Sequence, residues 1–291
     1  MNRKNKPKVL IIGASGLIGS NLYRYLYKKK FQVIGTFYKN EKMKKNFFKF
    51  NILKDKFEKV FNLNLISHVV IASGGEKKLD NIEKNYKFEK EIGYERIKRI
   101  IDECSLKKIK LIYISSDAVF DGRKGNYSEN SKRKPINKYG KIKYLTEEYI
   151  KKKINNYIII RVSKVLSIKK KEKNILNDLI DSFMKENYKY ASDEYFTPIF
   201  VNDLCNSIYN LIYKNLNGIF HLKSLGKISR YELAKKLVSY LKLKTKINKT
   251  LIKKLNLEAK RGLKLNLNTE KYDKIFKIKE KNLDFILTTN K

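Results

Sequence analysis

The chain is poor in the residues that carry metal, disulfide or triad chemistry, because only 2 cysteines and 2 histidines occur among its 291 residues. Cys104 and Cys205 each lie in a stretch of helical periodicity, which predicts reduced, partly buried thiols and no disulfide framework. His68 and His221 lie in apolar, strand-like runs, which disfavours a zinc site or a histidine-based catalytic triad. Acid–base chemistry would therefore fall to Tyr, Lys, Asp, Glu or Ser.

Long apolar runs and flexible linkers are also lacking. The first apolar run, residues 9–12, is far shorter than the ~20 residues that span a bilayer, and too short for a signal peptide. The 3 prolines and 13 glycines are too few for long disordered linkers, and 42% hydrophobic residues suffice for a core. These patterns predict a soluble, cytoplasmic protein with no membrane partner.

Positive charge is the extreme feature of the composition, with a formal net charge of +38. Nearly all of it is lysine, scattered over most predicted helices and not gathered in one stripe. This scatter favours a solvated lysine-rich surface over a specific nucleic-acid interface, which stays an alternative. An anionic dinucleotide or sugar nucleotide would gain from the same electrostatic field.

Short apolar runs alternate with helical periodicity over the first 165 residues, which predicts βαβ units and a mainly parallel sheet. We therefore expect an α/β fold with a Rossmann-type, doubly wound parallel sheet as an NAD(P)-binding domain over 1–165. Beyond it, the periodicity predicts a smaller α+β substrate lobe over 166–291, some of whose segments return to the first domain. The predicted strands of the sheet are 8–12, 31–36, 47–52, 68–72, 110–115 and 157–162.

A glycine-rich turn, GASGLIG at 13–19, follows the first predicted strand and opens a helix. The first glycine permits a tight turn, the second lets backbone approach a pyrophosphate, and the third lets the helix pack close to the sheet. The helix N-terminus offers free N–H groups and a partial positive charge to phosphate. The residues predicted to hold the dinucleotide here are Gly13, Ser15, Gly16, Leu17, Ile18 and Gly19.

The end of the second predicted strand bears on the choice between NAD and NADP. An acidic residue there would bind the ribose hydroxyls and repel a 2′-phosphate. No acid occurs before Glu41, whereas Lys39 and Lys42 could pair with a 2′-phosphate. The segment favours NADPH, and NADH stays open because lysine is so frequent in this chain.

Tyr139 and Lys143 are spaced to share one face of a predicted helix. A fixed ammonium lowers the pKa of a phenol from its usual value of about 10, so the pair could act as a general acid toward a carbonyl. Ser116 lies at the carboxyl end of a predicted parallel strand, where such sheets bind ligands, and could donate to that carbonyl. A helix cap or loop turn is the alternative reading of Ser116.

The order of four segments resembles the extended short-chain dehydrogenases and, more narrowly, the dTDP-4-dehydrorhamnose reductase family, which also contains the regulatory β subunit of methionine adenosyltransferase. The four segments are GASGLIG (13–19), SSDAVFDG (115–122), PINKYGKIK (135–143) and IIIRVSKVL (158–166). Further similar segments, TPIFVNDL (197–204) and NGIFHL (217–222), extend the resemblance over nearly the whole chain.

The resemblance implies reduction of a nucleotide-linked 4-keto-6-deoxy sugar by NADPH, in the synthesis of surface polysaccharide precursors. It implies that Tyr139 donates the proton, Ser116 orients the carbonyl and Lys143 tunes Tyr139 and binds the cofactor. The partner would be the nucleotide-sugar substrate, with a homodimer left open. The resemblance adds Asn51, Ile52, Ala72, Ser73 and Gly74 to the cofactor side, and Asp117, Val119, Phe120 and Arg261 to the substrate side.

Several ligand-side positions depart from the family pattern. Ala118 replaces a tyrosine, Asn51 replaces an aspartate, Lys164 lies where an aromatic substrate contact is usual, and no proline follows Arg261. Two alternatives therefore stay open: an NAD-dependent sugar-nucleotide epimerase or dehydratase, and a non-catalytic NADP-binding regulatory subunit. A single acid follows the serine where dehydratases carry an Asp–Glu pair, and the intact serine, tyrosine and lysine argue against a purely regulatory role.

Overall fold

The computed structural model describes residues 7–38, 46–73, 78–169, 172, 174–184, 188–278, 281 and 283. Its strands are β1 (Lys8–Ile12), β2 (Gln32–Phe37), β3 (Phe47–Lys49), β4 (His68–Ile71), β5 (Lys110–Ser116), β6 (Tyr157–Val162), β7 (Val165–Leu166), β8 (Lys189–Ala191), β9 (Tyr195–Phe196), β10 (Ile199–Phe200), β11 (Gly218–His221), β12 (Ile228–Ser229) and β13 (Asn248–Thr250). Its helices are α1 (Leu17–Lys28), α2 (Phe57–Val60), α3 (Leu79–Lys84), α4 (Tyr86–Lys90), α5 (Arg96–Leu106), α6 (Lys138–Lys153), α7 (Ile175–Ser182), α8 (Val201–Tyr213), α9 (Arg230–Tyr240) and α10 (Glu270–Phe276).

Seven strands form one sheet in the order β11-β6-β5-β4-β1-β2-β3, and every neighbouring pair is parallel. The chain builds outward from β1 to β3, then returns to β4 on the other side of β1. This reversal is the switch point at which doubly wound sheets bind ligands, outside the carboxyl ends of the strands. The predicted α/β, Rossmann-type fold class is confirmed.

The sheet is buried on both faces because its central strands are apolar throughout. In β1, Val9 and Ile11 face a cluster that includes residues of α1 and α8, whereas Leu10 and Ile12 face a cluster that includes residues of α5 and α6. Burying each such side chain stabilises the fold by about 1.5–3 kcal/mol. Covered faces explain why these strands are continuous apolar runs in the sequence.

Two predicted elements end or change earlier than their patterns indicate. The strand predicted over 47–52 ends at Lys49, because Phe50 turns into the core and packs on Phe57 and Phe61.

The long helical tract predicted near 81–104 is interrupted by a π-helical turn, Glu91–Glu95. A Cβ on Gly93 in that turn would approach Ile142 of α6 to 2.8 Å, so the turn lets two helices pack closely.

The chain beyond residue 165 has short two-stranded sheets of its own, β10 with β7, β12 with β9 and β13 with β8. It also has a buried cluster of its own that includes Phe196, Leu233 and Leu237. Its strand β11 nevertheless pairs with β6 in the main sheet. The division into 1–165 and 166–291 stays a prediction. None of the helices in the described part of the chain has the length and apolar character needed to cross a bilayer.

Candidate active site

A cleft with a volume of about 790 Å³ lies at the carboxyl ends of the sheet strands and extends toward residues beyond 165. Its wall runs from the glycine turn, past the end of β5 and the start of α6, to residues beyond 165. One cavity thus joins the predicted dinucleotide and catalytic positions. The sequence-predicted residues that line it are Gly13, Ser15, Gly16, Leu17, Ile18, Ala72, Ser73, Ser116, Asp117, Tyr139 and Arg261.

The glycine turn leaves no room for a side chain at Gly13 or Gly19. Gly13 has φ +83°, and a Cβ there would lie 2.9 Å from the backbone of Ser73. Its N–H donates to Thr36 Oγ1 at 2.9 Å, which ties the turn to β2. A Cβ on Gly19 would overlap the carbonyl oxygen of Gly13. A Cβ on Gly16 would lie 3.4 Å from the same oxygen, which is an ordinary van der Waals distance. Gly19 therefore serves helix packing, and Gly16 borders the cleft.

Helix α1 presents its N-terminus at this turn. Gly16 is its N-cap, no side chain caps it, and no acidic residue lies in its first turn. The first N–H groups of a helix have no intrahelical acceptor and favour an anion. The turn and the helix end together fit the pyrophosphate of a dinucleotide, which also needs the close backbone approach that Gly16 permits.

Tyr139 is brought to the cleft by the start of α6. Asn137 caps this helix by accepting the N–H of Gly140 at 2.8 Å. A Cβ on Gly140 would overlap the carbonyl oxygen of Ala118, so the helix begins directly against the loop that follows β5. Tyr139 then lines the cleft together with Ser116.

The electrostatics of Tyr139 differ from the sequence-based expectation. Burial raises the pKa of Tyr139 to about 12, the neighbouring Ser116 hydroxyl opposes this rise, and the Asp117 carboxylate adds to it. The sequence predicted a lowered pKa for Tyr139, whereas its burial raises the pKa in this arrangement. The Lys143 ammonium donates to the Ile114 carbonyl oxygen at 3.0 Å and lies 5.8 Å from the Tyr139 ring centroid. A raised pKa keeps the phenol protonated at neutral pH, as a proton donor requires.

Ser116 is held by polar groups on the strand end. It donates to Asp117 Oδ1 at 2.8 Å and accepts the N–H of Ala118 at 3.2 Å. It therefore also has the capping role that the sequence left open, at the 3-10 turn Asp117–Val119. Ser163 donates to the other Asp117 oxygen. Burial raises the pKa of the Asp117 carboxyl, while Lys164 and the two serines oppose the rise.

Other predicted site residues lie away from the cleft. Val119 and Phe120 are buried in a cluster with Tyr127, where the Phe120 and Tyr127 rings stack at 4.3 Å. Their side chains therefore pack in this cluster and support the loop after β5, and they do not face the cleft. Lys143 is buried behind Tyr139 in α6.

The remaining predicted cofactor residues either lie outside the cleft or fall outside the described residues. Asn51 follows β3 and accepts the N–H of Leu53 at 3.0 Å, which closes a local turn. Ile52 packs against the sheet cluster formed with α5, and neither residue lines the cleft. Lys39 and Gly74, together with Lys42, lie outside the described residues.

Residues beyond 165 add charged groups to the cleft, of which the sequence predicted Arg261 but not Arg230 or Glu194. Arg230 and Glu194 line the cleft, with Arg230 Nε 3.5 Å from Glu194 Oε2. Arg261 Nη2 donates to Asp80 at 3.0 Å, while its buried Nη1 has no hydrogen-bond partner among the described residues. The scarcity of arginine in a lysine-rich chain is the one signal that could have marked Arg230. Within the described residues, no group of three or more His, Cys, Asp or Glu side chains could hold a metal ion.

Comparison with known proteins shows which family and which solved structures this chain resembles. A family model described as the RmlD substrate binding domain matches residues 7–287. Methionine adenosyltransferase 2 subunit beta of Danio rerio is 25% identical over 234 residues, 78% of this chain and 71% of that protein. A dTDP-4-keto-6-deoxy-D-glucose reductase of Streptomyces niveus is 27% identical over 135 residues, 45% of this chain and 46% of that protein. The crystal structure of dTDP-4-dehydrorhamnose reductase from Bacillus anthracis in complex with NADP superposes with a TM-score of 0.83, at 23% identity, over 98% of each chain. The chain belongs to the family of the RmlD substrate binding domain.

Proposed function

We propose that the chain is an NADPH-dependent reductase of a nucleotide-linked 4-keto-6-deoxy sugar, acting in surface polysaccharide precursor synthesis. The observation that carries this proposal is the cleft that joins the glycine turn at Gly13 to Ser116 and Tyr139. Similarity to the Streptomyces niveus reductase and to the NADP-bound Bacillus anthracis reductase supports it.

The reduction needs a hydride, a proton and a fixed carbonyl. Bound NADPH supplies the hydride. Tyr139, kept protonated by burial, supplies the proton to the carbonyl oxygen. Ser116 has one hydroxyl proton, which Asp117 accepts in this structure, so a substrate oxygen beside Tyr139 would compete with Asp117 for it. Lys143 lies behind Tyr139 and anchors the helix that carries it by donating to the Ile114 carbonyl oxygen. Its contact with the nicotinamide ribose, which the family resemblance implies, is part of the proposal and would require the ammonium to turn toward the cleft.

Anion-binding groups lie at two places in the cleft. The uncapped N-terminus of α1 is proposed to hold the cofactor pyrophosphate. Arg261 is proposed to bind an anionic part of the nucleotide sugar, because its buried Nη1 has no hydrogen-bond partner among the described residues. Because Nη2 is already paired with Asp80, the donor left over on Nη1 would be satisfied best by an anionic acceptor on the substrate.

A panel of nucleotide keto-sugars with NADPH and NADH, followed at the nicotinamide absorbance, tests the function. We expect NADPH oxidation with a 4-keto-6-deoxy sugar nucleotide, and a loss of about 10²–10⁴-fold in Tyr139→Phe. Tyr149→Phe is the matched control, because its phenol lies on the same helix but bonds Asp102 at 2.7 Å, outside the cleft. Unchanged turnover in Tyr139→Phe would contradict the assigned role.

A second candidate is a non-catalytic NADP-binding regulatory subunit. The similarity to methionine adenosyltransferase 2 subunit beta, which covers 78% of this chain, favours it. NADPH binding without turnover of any keto sugar, together with a co-purifying partner enzyme, would support this candidate over the reductase.

The proposed setting is the cytoplasm, with a homodimer as the assembly to test. Cys104 and Cys205 are free and buried, which suits a reducing compartment. Light scattering after size-exclusion chromatography separates a monomer from a dimer.

A further inference from the structure

A buried carboxylate lies one helical turn beyond Lys143, on the face of α6 that carries Tyr139. Glu147 follows Lys143 at the i+4 position, and Tyr139, Lys143 and Glu147 succeed one another at one-turn intervals. The side chains of Glu147 and its partner Arg161 are both 0% exposed. Charges removed from water are costly unless they are well paired, so an ion pair at this depth requires an explanation beyond packing.

Four hydrogen bonds fill the Glu147 carboxylate. Oε1 accepts from Ser115 Oγ at 2.5 Å and from Arg161 Nε at 3.0 Å. Oε2 accepts from Arg161 Nη2 at 2.7 Å and from Arg133 Nη1 at 3.0 Å. The carboxylate therefore fixes α6 to β5 through a serine and to β6 through a bidentate arginine, with directional bonds that an apolar contact would not supply.

These contacts fasten the helix to the strand end that bears Ser116. Two side chains of α6, one helical turn apart, hydrogen-bond to consecutive residues of β5. The bonded pairs are Ile114 with Lys143 and Ser115 with Glu147. A shift of α6 along the strand would break both bonds together and would move Tyr139, one turn earlier on α6, away from Ser116, the next residue of β5.

We infer that Glu147 is a positioning residue of this site, whose carboxylate fixes α6 against the ends of β5 and β6. Lys143 and Ser116 then keep their places beside Tyr139. The inference rests on the proposed reductase function for its effect on turnover. Its geometric part, the attachment of α6 to β5, is testable without turnover.

The charge of Glu147 also acts on Lys143. The groups facing the Lys143 ammonium are Glu147 and Tyr139 from α6 and the Tyr113 ring from β5, at 4.8 Å. Burial lowers the pKa of Lys143 to about 8, and Glu147 opposes that fall. A neutral residue at 147 would leave Arg161 unopposed and lower the pKa of Lys143 further. The alkaline limb of the pH–rate profile should then move to lower pH.

The test compares Glu147→Gln, Ser115→Ala and the control Glu148→Gln. Glu148 is the neighbouring acid, 42% exposed, and also bonds Arg133. We expect Glu147→Gln to lower kcat by about 10²-fold with little change in KM, because small misplacements of catalytic groups cost this much. Ser115→Ala, which keeps the charge, should lower kcat by about tenfold and leave the alkaline limb in place. Glu148→Gln should change neither kcat nor the alkaline limb.

Hydrogen exchange measured by mass spectrometry gives a readout that needs no turnover. We expect faster amide exchange over 112–118 and 139–147 in Glu147→Gln and Ser115→Ala, and wild-type exchange in Glu148→Gln. A folded Glu147→Gln with wild-type kcat, pH limb and exchange would overturn the inference, even if it melted earlier. If Glu147→Gln does not fold, unchanged kcat and exchange in Ser115→Ala overturn it. Wild-type protein without turnover refutes the proposed function, while the exchange data still decide the inference.

Discussion

Tyr139 and Lys143 are buried together, and burial shifts the pKa of each toward its neutral form. The pKa of Tyr139 rises to about 12 and that of Lys143 falls to about 8. The tyrosine therefore keeps its proton at all physiological pH values. The lysine loses its charge within the range in which an enzyme can be assayed.

Activity should accordingly decline as the pH rises through about 8, because Lys143 deprotonates and the ammonium that anchors α6 is lost. A pH–rate profile of kcat/KM for the wild type measures this limb. Lys143→Arg keeps a charge at every accessible pH, so its residual activity should lack the limb. Lys141→Arg, at an exposed position of the same helix, is the control that should retain it. An unchanged limb in Lys143→Arg would assign it to another group.

Sequence reasoning predicted that Ser116 and Tyr139 share one site, and both line the cleft, because a strand end and a helix periodicity are local patterns. It did not predict the direction of the Tyr139 pKa shift, because burial depends on how α6 packs against the loop after β5. It also gave Phe120 a ligand-facing role, although this ring stacks on Tyr127. A motif records which residues occur near a site, and packing decides which of them face the ligand.

At the scale of elements, the predicted ends were accurate where an apolar run ends at a polar or glycine residue. Strand β1 occupies the predicted range, and β6 does as well. The close packing at Gly93 in the π-helical turn could not be predicted, because it involves Ile142 on a different helix. Long-range contacts of this kind leave no local periodicity.

The turn between β1 and α1 allows a prediction from a matched pair of glycines. Gly19→Ala should lower stability by about 1–3 kcal/mol and weaken NADPH binding, because the new Cβ would overlap the backbone oxygen of Gly13. Gly16→Ala places its Cβ 3.4 Å from the same atom, so the protein should melt near the wild-type temperature. It should still bind NADPH less tightly, because the methyl group borders the cleft. Thermal melting and dinucleotide titration separate the two effects. A Gly19→Ala protein with the wild-type melting temperature would contradict the packing argument.

For the whole molecule, the sheet is completed from the far part of the sequence. Strand β11 pairs with β6 so that Phe220 lies opposite Ile160 and His221 opposite Arg161. The Nη1 of Arg161 is 3.2 Å from His221 Nε2. The sequence predicted that some segments of the second half return to the first domain. It could not identify the edge at which a strand would pair, because a short apolar run carries no mark of its neighbour.

The fragment 1–165 should therefore fail to fold as a stable monomer, although it contains the dinucleotide motif. Removing the rest of the chain strips β6 of its neighbour β11. It also removes Leu204 and Ile208 of α8 from the buried cluster that contains Val9. A free β6 edge with apolar side chains is prone to aggregate. Circular dichroism melting and size-exclusion chromatography, with the full chain as the control, measure the outcome. A soluble monomeric fragment that melts cooperatively and binds NADPH would instead establish 1–165 as an autonomous domain and make β11 dispensable for the sheet.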